Sequence, residues 1–157
     1  MKIAVVSDTH RHSYEINEIL KLIQHTDMLI HLGDNVEDAE ALKRNYSGKV
    51  INVKGNCDFI NSSPVEAFED IDGLKVLITH GHKYNVKCGL LSLKYRAKEL
   101  GADIVLFGHT HEVLEVYEEG VLYVNPGSPS LPRGSYKTIA VLNIEQKIPK
   151  VNFITIE

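Results

Sequence analysis

Three short apolar runs alternate with two helix-spaced stretches in the first third of the chain, and that order leaves few folds open. The apolar runs are residues 2–7, "MLIHL" from Met28 and "KVINVK" from Lys49. Between the first two, Ile16, Ile19, Leu20 and Ile23 fall at i, i+3, i+4 and i+7. That spacing makes one apolar face of a helix beginning near Ser13. A shorter helix is expected from Val36, with Asn35 as its N-cap. Strand, helix, strand, helix, strand implies a parallel sheet with right-handed crossovers.

The pattern then changes. Residues 65–71 and 74–79 flank Asp72-Gly73, a strong hairpin signal, and residues 113–118 and 121–125 flank Glu119-Gly120 in the same way. One helix is expected over residues 86–100, stopped by Gly101, with Cys88 as a small apolar filler within it. "DIVLF" from Asp103 reads as a strand, and residues 137–144 and 150–156 as two more, so this later part is expected to be mostly antiparallel. The fold class is α/β: two packed mixed β-sheets flanked by helices, in one domain over residues 1–157.

Composition narrows the function. A net charge of -4 argues against an extended nucleic-acid-binding surface, which needs a basic stripe. Cys57 and Cys88 stand in no paired spacing, so neither a disulfide framework nor a Cys-rich zinc site is expected, and free thiols suit a reducing cytoplasm. No run is long enough for a membrane span, and the N-terminal apolar run is too short for a signal peptide.

The chemistry-bearing residues cluster at strand ends. "SDTH" follows the first strand and carries Asp8 and His10. "GDN" follows the second and carries Asp34. "GNCD" follows the third, with Asn56, Cys57 and Asp58; "THGH" brings His80 and His82, and "GHTH" brings His109 and His111. Open α/β sheets place their sites outside the carboxyl ends of strands. Six of the eight histidines form His-x-His pairs. In extended backbone, residues two apart face the same way, so each pair reaches two adjacent points of one site. Gly33, Gly55, Gly81 and Gly108 adjoin these residues and suit sharp, crowded exits from strands.

Each motif alone has an ordinary explanation. Asp8 has a lesser reading as a loop cap, Asp34-Asn35 a reading as a helix cap, and "GNCD" one as a turn. All of them together, in one chain order, leave little room for a purely structural reading. His31, inside an apolar strand, is better read as a hydrogen-bonded core residue than as a ligand. His25 is expected to be exposed, and His12 to lie on the surface or the rim.

The ordered set Asp8-x-His10, Gly33-Asp34, Gly55-Asn56, His80 and Gly108-His109-x-His111 resembles the calcineurin-like metallophosphoesterase superfamily. "GNCD", "THGH" and "NPGS" (residues 125–128) resemble more narrowly its small YfcE-like phosphodiesterase branch, which shares its fold with a retromer subunit. The resemblance implies a metallophosphoesterase-like sandwich and a pair of divalent ions. Asp8, His10, Asp34 and His111 would hold the first; Asp34, Asn56, His80 and His109 would hold the second, with Asp34 bridging. Oxygen and imidazole donors suit manganese first, with iron, zinc or nickel as alternatives. Paired metals can share a hydroxide that attacks phosphorus, so Asp34, Asn56 and His10 act in catalysis through metal and no separate general base is assigned. Two dications, less two carboxylates and one hydroxide, leave about +1 at the site, which matches a small phosphodiester substrate.

Many superfamily members have a His after this Asn; here Cys57 stands in its place, which implies weak action on poor leaving groups. Cys57, Asp58 and His82 are candidates for substrate contact or for supporting the ligands from behind. A phosphomonoesterase or nucleotide hydrolase using the same metals is the rival enzyme. A non-catalytic scaffold of the retromer-subunit type is the rival outside enzymes. A homo-oligomer through the final strands stays open.

Overall fold

The computed structural model describes residues 1–59 and 62–157. β1 (Lys2–Val6), β2 (Met28–His31) and β3 (Lys49–Asn52) run parallel, joined by α1 (Ser13–Ile23) and α2 (Val36–Asn45). The hairpin β9 (Lys137–Glu145) and β10 (Ile148–Ile156) extends this sheet antiparallel from β1, giving the order β10-β9-β1-β2-β3. The second sheet has the order β4-β5-β6-β8-β7. Its members are β4 (Glu66–Ile71), β5 (Leu74–Thr79), β6 (Ile104–Leu106), β7 (Val113–Glu118) and β8 (Val121–Pro126).

The two sheets pack face to face. Ile3, Val5 and Ile30 of the first meet Val76, Ile78, Ile104 and Leu106 of the second in one buried cluster. Period-2 alternation then sends Ala4, Val6 and Leu29 to the opposite face, where Ile16, Ile19 and Ile23 of α1 and Leu42 of α2 cover them. On the far side of the second sheet, Leu77, Val105 and Phe107 pack against Leu93 and Ala97 of α3 (Leu91–Leu100). This is the α/β arrangement of two mixed sheets with outer helices.

Several local expectations are corrected. The later part is mostly antiparallel, as expected, but the centre of the second sheet is parallel, because β5 pairs β6 and β6 pairs β8 in the same direction. These strands are buried on both faces, the usual environment of parallel strands; α3 supplies the crossover from β5 to β6, and β7 lies between β6 and β8 in the chain. The helix expected over residues 86–100 is interrupted. Two short 3-10 turns, His82–Tyr84 and Val86–Cys88, precede α3. Gly89 at φ 134 and ψ 173 cannot continue a helix, and Cys88 is exposed rather than a filler. The last two strands are longer than expected and meet at Gln146-Lys147, where both residues are left-handed at φ 50 and 61. Asn35 makes no capping bond; the Val36 N–H instead donates to Asp58 Oδ1 at 2.8 Å, from another loop. No helix among the described residues is long and apolar enough to cross a membrane.

Candidate metal centre

The carboxyl ends of β1, β2, β3, β5 and β6 converge, and the loops leaving them bring seven side chains together. The first group is Asp8, His10 and His111. His111 Nε2 lies 3.1 Å from Asp8 Oδ1 and 3.3 Å from His10 Nε2. The second group is Asp34, His80 and His109, with Asn56 beside it. His80 Nε2 is 3.4 Å from Asp34 Oδ2, 3.0 Å from Asn56 Oδ1 and 3.2 Å from His109 Nδ1. Asp34 also groups with His10 and Cys57, so its carboxylate neighbours donors of both sets.

The ring orientations follow from the outer hydrogen bonds. His80 Nδ1 faces the Leu32 carbonyl at 2.8 Å, and His111 Nδ1 faces the Leu131 carbonyl at 2.6 Å. A carbonyl only accepts, so both Nδ1 atoms carry the proton and both Nε2 atoms turn inward. A neutral His111 therefore points a lone pair at Asp8 Oδ1. That oxygen is buried and without a hydrogen-bond donor, whereas Oδ2 of the same carboxylate accepts from Ser7 Oγ at 2.5 Å and from the His109 N–H at 3.0 Å.

The electrostatics express the same crowding. The Asp8 carboxylate next to it holds the pKa of His111 above its ordinary value against burial. Burial lowers the pKa of His80, but Asp34 and Asp8 beside it raise it overall. Burial raises the carboxyls of Asp8 and Asp34, yet the neighbouring imidazoles hold both below the usual range. Burial and the charge on His80 push His109 down to about 4. A cation held between these donors relieves lone-pair crowding, satisfies Asp8 Oδ1 and keeps the imidazoles neutral. The donor set thus fits hard or borderline divalent ions. Burial, then Asp34, pushes the Cys57 thiol up to about 11, which leaves it protonated at neutral pH.

The backbone around these residues is unusual. Asp8, His10, Asp34, His109 and His111 all adopt left-handed φ, between 49 and 69. The His109–His111 pair is thus not extended, as the sequence argument supposed: the two part company because both lie in a left-handed loop. Such conformations persist where surrounding bonds over-determine them. Asp8 N–H donates to the Gly33 carbonyl and His10 N–H to the Asp34 carbonyl, each at 3.0 Å. Ser128 and Ser130 donate to the Asp8 carbonyl at 2.7 and 3.0 Å. Asn125 Nδ2 donates to the Gly108 carbonyl at 3.0 Å. A Cβ on Gly108 would collide with Ser7 Oγ, and one on Gly55 with Asp34 Oδ1, so these two positions admit only glycine.

Asp58 and His31 support the centre from behind. Asp58 Oδ2 accepts from the Asp34 N–H at 3.0 Å and the Gly55 N–H at 2.8 Å, tying two ligand loops together. His31 is fully buried, accepts from the Gly33 N–H at 3.2 Å, and so donates from Nε2 to Thr9 Oγ1 at 3.1 Å. Thr9 Oγ1 in turn donates a hydrogen bond to Asp38 Oδ2 at 2.5 Å. The sequence reading placed His31 in the core and marked Asn125 and Ser128 within "NPGS" without a role, but missed Thr9, Asp38 and Ser130. A serine or threonine among many carries no signal until the loops meet. His82 joins neither group; its ring centre is 5.4 Å from that of His80 and 6.1 Å from that of His109. His12, 43% exposed, lies beside Glu15, and His25 is on the surface.

A profile of the calcineurin-like phosphoesterase superfamily domain matches residues 1–147. The chain is 36% identical over 156 residues to the probable metallophosphoesterase YsnB of Bacillus subtilis, covering 98% of this chain and 90% of that one. It is 32% identical over 167 residues to phosphodiesterase MJ0936 of Methanocaldococcus jannaschii, covering 94% and 95%. A crystal structure from Streptococcus pneumoniae, described as a predicted phosphoesterase, superposes with a TM-score of 0.84 at 31% identity, over 98% of this chain and 88% of that one. Vps29 of Entamoeba histolytica shares the fold at a TM-score of 0.81 and 19% identity, over the whole of both chains.

Proposed function

The chain belongs to the calcineurin-like phosphoesterase superfamily, and from that premise we propose that it is a phosphodiesterase working with two divalent ions. One observation carries the reading: the buried, donorless Asp8 Oδ1 amid imidazole nitrogens, in a donor set that continues through Asp34 to a second group. Asp8, His10, Asp34 and His111 are assigned to one ion, and Asp34, Asn56, His80 and His109 to the other. Manganese is the first choice, with iron, zinc and nickel compatible with the same donors. When bound, two such ions supply a shared hydroxide at neutral pH and positive charge against the phosphoryl oxygens.

The protein's own part is to hold and orient. The carbonyls of Leu32 and Leu131 lock two imidazoles in the ligating tautomer. Asp34 is fixed at its N–H by Asp58 and at Oδ1 by the Cys57 N–H, 2.9 Å away. Cys57 gives up its thiol proton poorly, so the leaving group departs with little help, and activated esters are the favoured substrates. Both cysteines are free, in keeping with a cytoplasmic enzyme.

The test strips the metal, restores manganese, and compares bis(p-nitrophenyl) phosphate with p-nitrophenyl phosphate. Metal-dependent turnover of the diester, faster than that of the monoester, is expected. Preference for the monoester would favour the phosphomonoesterase. No turnover of either would leave the fold shared with Vps29 as a scaffold.

A further inference from the structure

A cavity of about 560 Å³ shares His111 with the candidate metal centre. That is the size of a small-molecule site. Its wall includes Glu112, Arg133, Tyr136, Thr138 and Phe153. The loop carrying Arg133 and Tyr136 is clamped on His111 from two sides. His111 Nδ1 donates to the Leu131 carbonyl at 2.6 Å, and the Arg133 N–H donates to the His111 carbonyl at 3.0 Å. The cavity and the metal donors therefore keep one geometry.

The lining selects the chemistry of an occupant. Tyr136 is 68% exposed and Phe153 half-buried, so aromatic surface faces the space. Neither Glu112 nor Arg133 takes part in an ion pair among the described residues. An acyl chain laid here would strip water from a carboxylate and a guanidinium and replace it with nothing. A methyl ester would leave the space unfilled. A nucleoside offers a flat face to the aromatic rings, and hydroxyl and base-edge groups to Glu112 and Arg133.

We propose that this cavity holds the nucleoside of a nucleoside phosphodiester whose phosphorus is attacked at the metal centre. The proposal rests on the phosphodiesterase reading. The scissile phosphate reaches the donors beside His111 while its retained nucleoside lies against Tyr136 and Arg133.

The test compares two activated diesters on the manganese-loaded protein: the p-nitrophenyl diester of thymidine monophosphate and methyl p-nitrophenyl phosphate. The kcat/KM ratio, nucleoside over methyl, is expected to exceed about tenfold and to fall toward unity in Tyr136→Ala and Arg133→Ala, given the strength of base–aromatic stacking. A wild-type ratio near unity, or one that neither variant changes, overturns the proposal. Thymidine monophosphate is also titrated into the protein and followed by NMR, which needs no turnover. Shifts at Tyr136 and Phe153, weakened in the variants, support the subsite; no shift there refutes it. Failure to hydrolyse either ester would instead count against the phosphodiesterase reading, with the titration still deciding the cavity.

Discussion

Asp8 uses its two carboxylate oxygens differently. Oδ2 is held by Ser7 and the His109 N–H, and Oδ1 is aimed at imidazole nitrogens with no donor of its own. Asp34 stands between the two donor groups, so Asp34→Asn should abolish manganese-dependent turnover and lower metal content; an active, fully loaded variant would refute its bridging role. His31, which lies one layer behind the candidate donors, permits a second test. Burial drives its pKa from 6.5 to about 4, so the folded protein keeps it neutral where the unfolded chain binds a proton. Between those values the unfolded state holds more protons, and stability falls as pH drops from 6.5 toward 4. The size is about 3 kcal/mol. His109 titrates in the same window, so the readout is a difference. Urea midpoints of the metal-free protein should fall less steeply over this range in His31→Gln than in wild type. Equal slopes would contradict the assignment.

At the scale of elements, the loops matter more than the strands they leave. Asp58→Ala removes both acceptor oxygens that together tie the Asp34, Gly55 and Val36 amides. It should weaken metal affinity by about 10–100-fold and leave α2 without its cap, seen by metal titration and by a lower urea midpoint. The hairpin between β9 and β10 turns at two left-handed residues that are not glycine. Gln146→Asn with Lys147→Gly suits that turn better and should add roughly 0.5–1 kcal/mol, measured by thermal melting. These elements also mark where sequence stops being informative. Ile16, Ile19 and Ile23 fixed α1 through period alone, and Asp72-Gly73 and Glu119-Gly120 fixed two hairpins through their turns. The break before α3 was hidden because the apolar spacing runs on through a glycine whose φ of 134 only the fold requires. The left-handed loops were hidden too, because Asp and His, though enriched among left-handed residues, adopt that conformation too seldom for their presence to signal it.

Over the whole molecule, two sheets share one apolar interior while the carboxyl ends of five strands carry the site. The ligand motifs were legible because strand ends are local features. The partition into two sheets, and the parallel centre of the second, depend on long-range pairing such as Val76 with Ile104 and Val105 with Tyr123, which no local pattern encodes. Since the interior is independent of the site, chelation should lower the melting temperature by mass action while far-UV circular dichroism stays unchanged. The central claim is that two ions sit together among Asp8, His10, Asp34, Asn56, His80, His109 and His111. Anomalous diffraction from manganese-soaked crystals tests it most directly: two peaks roughly 3.5–4 Å apart, with Asp34 between them, are expected. One peak, or none, would contradict it.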